Sequence, residues 1–128
     1  ALAINYSSKL QFLFRINKGI EKVSDDAKLN LHMEEEDRPI PQENMIYVGD
    51  GLTDVPIMKI TRQCGGRSVG VYFEEGQSQY LVQDNRVDFF VKADYSCDSD
   101  MDKAIKAILQ DMKANLTLKQ LQKLNKVI

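Results

Sequence analysis

The sequence contains no long hydrophobic segment, no excess of charge of either sign and very little cysteine. No apolar run approaches the roughly 18 residues that a membrane-spanning helix needs, and no basic stretch followed by an apolar one indicates a signal peptide. The formal net charge of −2 gives no electrostatic reason to expect nucleic acid or an anionic membrane as a partner. Two cysteines without an export signal favour reduced thiols. We therefore expect a cytoplasmic protein that binds neither nucleic acid nor membrane.

Glycine-rich phosphate-binding loops are also missing. No apolar run is followed by a Gly-x-Gly-x-x-Gly pattern or by a Walker-type loop. A nucleotide-binding α/β domain is therefore disfavoured.

The 128 residues suffice for one hydrophobic core but not for two, so we expect a single domain over 1–128. Apolar runs typical of buried strands occur at 45–49, 68–72 and 87–91. Helical spacing or helix-boundary residues occur at 8–23, from Thr53 to Gly65-Gly66, at 99–113 and at 118–124. A short helix is also expected at 74–83, between the second and third strands. Alternating strands and helices predict βαβ units and a mostly parallel sheet, as in a Rossmann-like three-layer αβα fold.

Residues before the first predicted strand suggest a helix and a loop. Ser8 and Gln11 have the spacing of a capping box, which would make Lys9 the first helical residue. Gly19 either interrupts this helix or marks its end. The acidic, proline-bearing segment 30–44 is expected to be a surface loop, and the short apolar segment 1–6 could end a strand.

The C-terminal segment carries leucines at i, i+3 and i+6, namely Leu118, Leu121 and Leu124. This spacing predicts a separate last amphipathic helix. Its apolar stripe could contact another subunit, but packing on the protein's own sheet is favoured. The oligomeric state stays open.

The segment Met45–Pro56 carries the most specific chemical pattern in the chain. Its apolar run ends in two aspartates, Asp50 and Asp54, and a helix start follows at once. Ligands of open α/β sheets bind beyond the carboxyl ends of the strands, and two carboxylates there form a hard-oxygen site suited to Mg²⁺. A divalent cation would also offset the desolvation of a carboxylate at the end of a buried strand. We therefore predict Asp50 and Asp54 as metal ligands.

Turn and helix chemistry offers a second interpretation of the same residues. Gly51 is expected to supply a positive φ at a sharp reversal, and Thr53 is expected to cap the following helix. Asp54 would lie in the first turn, where the helix dipole favours a negative charge. Considered alone, Asp54 is more often a cap than a ligand, but the whole pattern favours metal.

The stretch Gly49–Asp54 resembles the fourth motif of the haloacid dehalogenase-like (HAD superfamily) phosphohydrolases. Two longer strings, 7–19 and 87–96, resemble a bacterial branch of these hydrolases, so the resemblance covers most of the chain. It implies a HAD-like form of the α/β fold with Mg²⁺ as cofactor. It also implies Asp50 as a direct ligand, and Asp54 as a ligand or a water-mediated second contact.

The resemblance further implies a lysine at the start of the helix that precedes this motif. In the family this lysine neutralises the nucleophile and the transferring phosphoryl group. Lys9 fits the position. A cation in the first turn of a helix is unfavourable because it opposes the helix dipole, which suggests that a lysine there serves a purpose other than helix stability. Lys18 is the alternative.

One part of the family pattern does not occur in the chain. The family's nucleophile and general acid/base lie in an Asp-x-Asp-x-Thr/Val pattern after the first strand, and these 128 residues contain no such pattern. Asp98-Ser99-Asp100 has part of the spacing but follows the last predicted strand. We therefore expect the C-terminal portion of a hydrolase core, with the first strand and the nucleophile preceding Ala1.

The expected activity of the intact protein is Mg²⁺-dependent phosphoryl transfer to an aspartate, followed by hydrolysis of a small phosphorylated metabolite. Asp50 and Asp54 would set the metal geometry and Lys9 would counter developing charge. This chain alone is expected to be inactive. The alternative is a non-catalytic binding or regulatory module that retains the half-fold and its acidic turn.

Overall fold

The computed structural model describes residues 6–21, 31–34 and 37–126. Three α-helices are present in this part of the chain: α1 (Tyr6–Lys18), α2 (Val55–Gln63) and α3 (Asp100–Leu124). Three strands accompany them: β1 (Ile46–Gly49), β2 (Arg67–Tyr72) and β3 (Phe89–Lys92). Short 3-10 segments occur at Gln42–Asn44, Leu52–Asp54 and Gln79–Asn85.

The strands form a parallel sheet in the order β1-β2-β3. Tyr47 pairs with Ser68, and Gly70 pairs with Phe90. Parallel strands need crossover connections, and helices normally supply them. The predicted α/β architecture with a parallel sheet is confirmed, and it agrees with a Rossmann-like arrangement.

Apolar side chains pack on both faces of the sheet. On one face, Val69 and Val71 of β2 pack against Met101 and Ile108 of α3. The other cluster joins Leu13 of α1, Ile57 of α2 and Met45, which directly precedes β1. Because successive strand residues point to opposite faces, β2 uses Val69 for one layer and Ser68 for the other, where Ser68 Oγ donates to the carbonyl of Met58 at 2.9 Å. Helices therefore cover both faces of the sheet, and the fold has three layers.

The first helix differs from its prediction at both ends. α1 begins at Tyr6, so the predicted capping residue Ser8 lies within the helix. It ends at Lys18, and Gly19 follows with φ +70°, a left-handed conformation that favours glycine. Gly19 therefore marks the helix end rather than an interruption. The predicted strand end at 1–6 lies outside the described residues, except for Tyr6.

The two predicted C-terminal helices form one continuous helix, α3. Its buried positions Met101, Ala104 and Ile108 face the sheet. The prediction that the leucine stripe packs on the sheet is wrong: Leu118, Leu121 and Leu124 are 53%, 51% and 81% exposed. The stripe lies outside the register of the buried positions, because a helix repeats every 3.6 residues. Within the described ranges, no helix is both long and apolar enough to cross a membrane.

Candidate functional site

The predicted aspartate turn lies at the carboxyl edge of the sheet. β1 ends at Gly49, Asp50 follows directly, and a 3-10 turn over Leu52–Asp54 leads into α2. The chain after β2 returns to this edge, since Ser78 and Tyr80 both contact the turn. The turn therefore lies where ligands of α/β sheets bind.

Asp54 is the most enclosed polar group of the turn, with 5% of its surface exposed. Its Oδ2 accepts hydrogen bonds from the backbone N–H groups of Asp50 at 3.1 Å and Gly51 at 2.9 Å. Its Oδ1 accepts from Tyr47 Oη at 2.6 Å and from Lys9 Nζ at 2.5 Å. A carboxylate offers about four lone-pair positions, so the protein itself uses the full acceptor capacity of Asp54.

Lys9 contacts the turn from α1, and it precedes Asp54 by 45 positions in the sequence. Besides its contact with Asp54, the ammonium donates to Thr53 Oγ1 at 3.0 Å. Lys18, the alternative lysine, lies at the other end of α1 and donates to the carbonyl of Leu31 at 2.9 Å. The structure thus brings Lys9, and not Lys18, to the aspartate turn.

These contacts shift the pKa values of two side chains. Burial alone would raise the pKa of Asp54, but hydrogen bonds from Lys9, Tyr47 and the Gly51 amide outweigh burial and lower it below 3.8. The pKa of Tyr47 is raised by burial, by its hydrogen bond to Asp54 and by the charge of that carboxylate. Asp54 is therefore ionised and Tyr47 is protonated at neutral pH.

The two glycines of the turn have different roles from those expected. Gly51 has φ −121° and ψ 167°, an extended conformation open to any residue, so the prediction of a positive φ there is wrong. Gly49 is the sterically required glycine, because a Cβ at this position would lie 2.6 Å from both Cγ and Oδ2 of Asp54. The turn closes by folding the Asp54 carboxylate onto the backbone of Gly49.

Thr53 does not cap α2 as predicted. The N-cap position is Asp54, and no side-chain capping hydrogen bond is made there. Thr53 Oγ1 instead accepts from Lys9. The Asp54 carboxylate accepts a hydrogen bond from the N–H of Gly51, the residue that precedes the 3-10 turn. A capping box has two contacts, and this one corresponds to the contact between the N3 carboxylate and the N-cap N–H.

Asp50 combines a fixed backbone with an exposed side chain. Its N–H donates to Asp54, and its carbonyl accepts from Ser78 Oγ at 2.6 Å and Tyr80 Oη at 3.2 Å. The side chain is exposed, and no hydrogen bond or ion pair to this carboxylate occurs among residues 6–21, 31–34 and 37–126. Asp50 can therefore bind a cation without giving up an existing contact.

These contacts test whether the turn fits Mg²⁺. Mg²⁺ keeps several waters and is commonly held by one or two carboxylates together with substrate phosphates. The Asp50 carboxylate fits this role directly. Asp54 would have to exchange a hydrogen bond for a metal contact, so an indirect contribution suits it better. Elsewhere in the described chain, the exposed Cys97 and Asp98 and the half-buried Asp102 form a group with metal-ligand spacing.

Three further hydroxyl groups belong to the turn and were not predicted. Tyr47 lies in β1 on the face of Met45, so strand alternation could have placed it beside α1 and α2. Ser78 and Tyr80 come from the segment after β2, 28 and 30 positions beyond Asp50. No periodicity connects them with the turn, because the contact depends on how the whole segment folds back.

Comparison with known proteins finds a relative of limited similarity. A protein of Borreliella burgdorferi described as uncharacterized is 28% identical over 97 residues, which are 73% of this chain and 32% of that protein. The chain therefore spans about a third of the length of the curated relative it matches. No family model matches the chain, and no solved structure matches it.

Proposed function

We propose that this chain is the C-terminal part of the core domain of a HAD-like, Mg²⁺-dependent phosphatase. The observation that carries the proposal is the 2.5 Å contact between Lys9 Nζ and Asp54 Oδ1. The resemblance to these hydrolases implied that a lysine acts together with the aspartate turn. Lys9 and Asp54 are 45 positions apart in the sequence. Their contact supports a shared site at the carboxyl edge of the parallel sheet.

Each predicted site residue has a separate role in this proposal. Asp50 is the direct ligand of Mg²⁺, since its carboxylate is exposed and its backbone is fixed. Asp54 contributes indirectly, by closing the turn and by holding Lys9. Lys9 lies where a cation can counter charge that develops on a phosphoryl group. Bound Mg²⁺ would supply further charge neutralisation of the phosphate.

The covalent chemistry belongs to residues outside these 128. An aspartate carboxylate there would attack the phosphorus of a phosphate ester, and the bond to the leaving oxygen would break. Water would then hydrolyse the aspartyl-phosphate and release inorganic phosphate. A second carboxylic acid would protonate the leaving group and later accept a proton from the water. On this proposal, the substrate is a small phosphorylated metabolite and the 128-residue chain alone is inactive.

One observation favours the alternative of a non-catalytic binding or regulatory module. The four hydrogen bonds of Asp54 satisfy its carboxylate with protein groups alone. A turn built in this way holds its shape without a cation. The two functions differ in Mg²⁺ binding, because a purely structural turn has no use for the Asp50 carboxylate.

The test is hydrolysis of p-nitrophenyl phosphate by the protein made from its complete coding sequence, with and without Mg²⁺. We expect Mg²⁺-dependent activity in the wild type and its loss in Asp50→Asn, with an unchanged melting temperature. The matched control is Asp98→Asn, which alters a carboxylate of the other acidic group at a position with φ +64° that asparagine tolerates. Equal rates for wild type and Asp50→Asn would remove Asp50 from the mechanism, and a selective loss in Asp98→Asn would move the metal to the other group.

A further inference from the structure

The segment after β2 forms a clamp on the backbone of Asp50. Ser78 Oγ and Tyr80 Oη donate to the same carbonyl oxygen, at 2.6 Å and 3.2 Å. On the other side of the residue, the Asp50 N–H donates to Asp54 Oδ2 at 3.1 Å. Side chains from two separate segments therefore hold both polar backbone groups of Asp50.

Ser78 adopts an unusual backbone conformation where it makes this contact. Its φ is +58° and its ψ is 19°, in the left-handed region that non-glycine residues rarely occupy. Glycine would fit the same backbone at lower conformational cost. A hydroxyl-bearing residue stands there instead, and the hydroxyl makes the shorter of the two bonds to Asp50.

We propose that Ser78 and Tyr80 are positioning residues that hold Asp50 in the orientation required for Mg²⁺ binding. This inference rests on the proposed function, because it assumes that the Asp50 carboxylate is a metal ligand. Neither residue lies in the stretches that resemble the hydrolase family.

The physical reason is preorganisation of an exposed ligand. The Asp50 side chain is exposed, so the direction of its carboxylate depends on the backbone that carries it. A peptide group held by two hydroxyls cannot rotate without breaking both hydrogen bonds. Outer contacts of this kind typically change metal affinity by about 10–100-fold when they are removed.

Three variants separate the hydroxyl contacts from folding. Ser78→Gly removes the hydroxyl and relieves the left-handed strain, so its stability should equal or exceed that of the wild type. Ser78→Ala removes the same hydroxyl but keeps the strain. Tyr80→Phe removes only the longer hydrogen bond. The matched control is Tyr95→Phe, which alters a tyrosine that follows β3 and is 72% exposed.

Mg²⁺ affinity is measured by isothermal titration calorimetry on the protein made from its complete coding sequence, with melting temperatures recorded alongside. We expect the dissociation constant for Mg²⁺ to rise about tenfold in both Ser78 variants. The rise in Tyr80→Phe should be smaller, and Tyr95→Phe should match the wild type. Excess Mg²⁺ should restore kcat in all of them, which would not happen if the substitutions merely damaged the fold.

The outcomes distinguish this inference from the proposed function. If the wild type binds Mg²⁺ and Ser78→Gly and Tyr80→Phe bind it equally well, the positioning role is overturned and the metal site stands. A loss of kcat that excess Mg²⁺ does not restore would also overturn it. If the wild type binds no Mg²⁺, the metal site itself fails, and this inference fails with it.

Discussion

Lys9 Nζ lies 2.5 Å from Asp54 Oδ1. Lys9 belongs to the first turn of α1, and Asp54 is the N-cap residue of α2. The Lys9 side chain is 23% exposed and the Asp54 side chain is 7% exposed, so the pair is largely shielded from water. Shielding strengthens the attraction between the charges, but it also makes an unpaired carboxylate costly. The contact thus links the position of α1 to the conformation of the aspartate turn.

Replacing Lys9 with methionine should destabilise the fold. The change leaves the buried Asp54 carboxylate with Tyr47 and two amides but without its cation, so we expect the free energy of unfolding to fall by about 1–3 kcal/mol. Lys18→Met is the matched control on the same helix, and its effect should be smaller, because the Lys18 ammonium donates to the backbone carbonyl of Leu31 and not to the buried Asp54 carboxylate. Denaturant unfolding followed by circular dichroism measures both. A larger loss in Lys18→Met would contradict the assignment of Lys9 to the turn.

The lowered pKa of Asp54 predicts a pH dependence of stability. Between the folded pKa, which lies below 3.8, and the unfolded pKa near 3.9, the folded state binds fewer protons than the unfolded state. The contribution of Asp54 is therefore complete above the unfolded pKa and is lost as the pH falls through the folded pKa. We expect the stability difference between wild type and Asp54→Asn to be constant near neutral pH and to shrink on acidification below about pH 4.

The control for this pH dependence is Asp111→Asn. Asp111 forms an ion pair with Arg67 at 3.0 Å, but its side chain is 62% exposed. Its removal should change the free energy of unfolding by no more than about 1 kcal/mol, because exposed pairs contribute little. If wild type and Asp54→Asn lose stability in parallel down to low pH, the Asp54 contacts do not act as described.

Gly49→Ala should disturb the turn more than Gly51→Ala. A Cβ at position 49 would lie 2.6 Å from Asp54 Cγ, and four hydrogen bonds keep that carboxylate from moving away. We expect a loss of about 1–3 kcal/mol in the free energy of unfolding, as for other overpacked sites. At position 51 the nearest atom would be Asp54 Oδ2 at 3.6 Å, an ordinary contact. Thermal unfolding of the two variants should separate them, and the reverse order would contradict the steric role of Gly49.

The strand that carries the turn was predictable because its signal is local. The apolar run at 45–49 and the following aspartates predict a buried strand that ends in a polar turn, and β1 ends at Gly49. The sequence predicts two C-terminal helices where the structure has one, because the apolar spacing changes after Met112. No proline or glycine lies within α3, so nothing in the sequence ends the helix there.

The contacts around the turn were predictable only in part. The resemblance to a hydrolase family pointed to Lys9, although α1 begins three residues earlier than expected. The role of Gly49 depends on where the Asp54 side chain folds, which a turn pattern does not specify. The hydroxyls of Ser78 and Tyr80 reach Asp50 through a long connection without periodicity, so only the assembled fold brings them together.

Substitutions along α3 should divide sharply by face. Ile108 is 3% exposed and packs against Val69 and Val71, so Ile108→Ala should lower the free energy of unfolding by about 2–5 kcal/mol. Leu121 is 51% exposed, and Leu121→Ala should stay within about 0.5 kcal/mol. Unfolding measured at several protein concentrations checks both values. A concentration-dependent loss in Leu121→Ala would mean that the leucine stripe contacts a second copy, whereas a large loss at every concentration would mean that it packs within the protein.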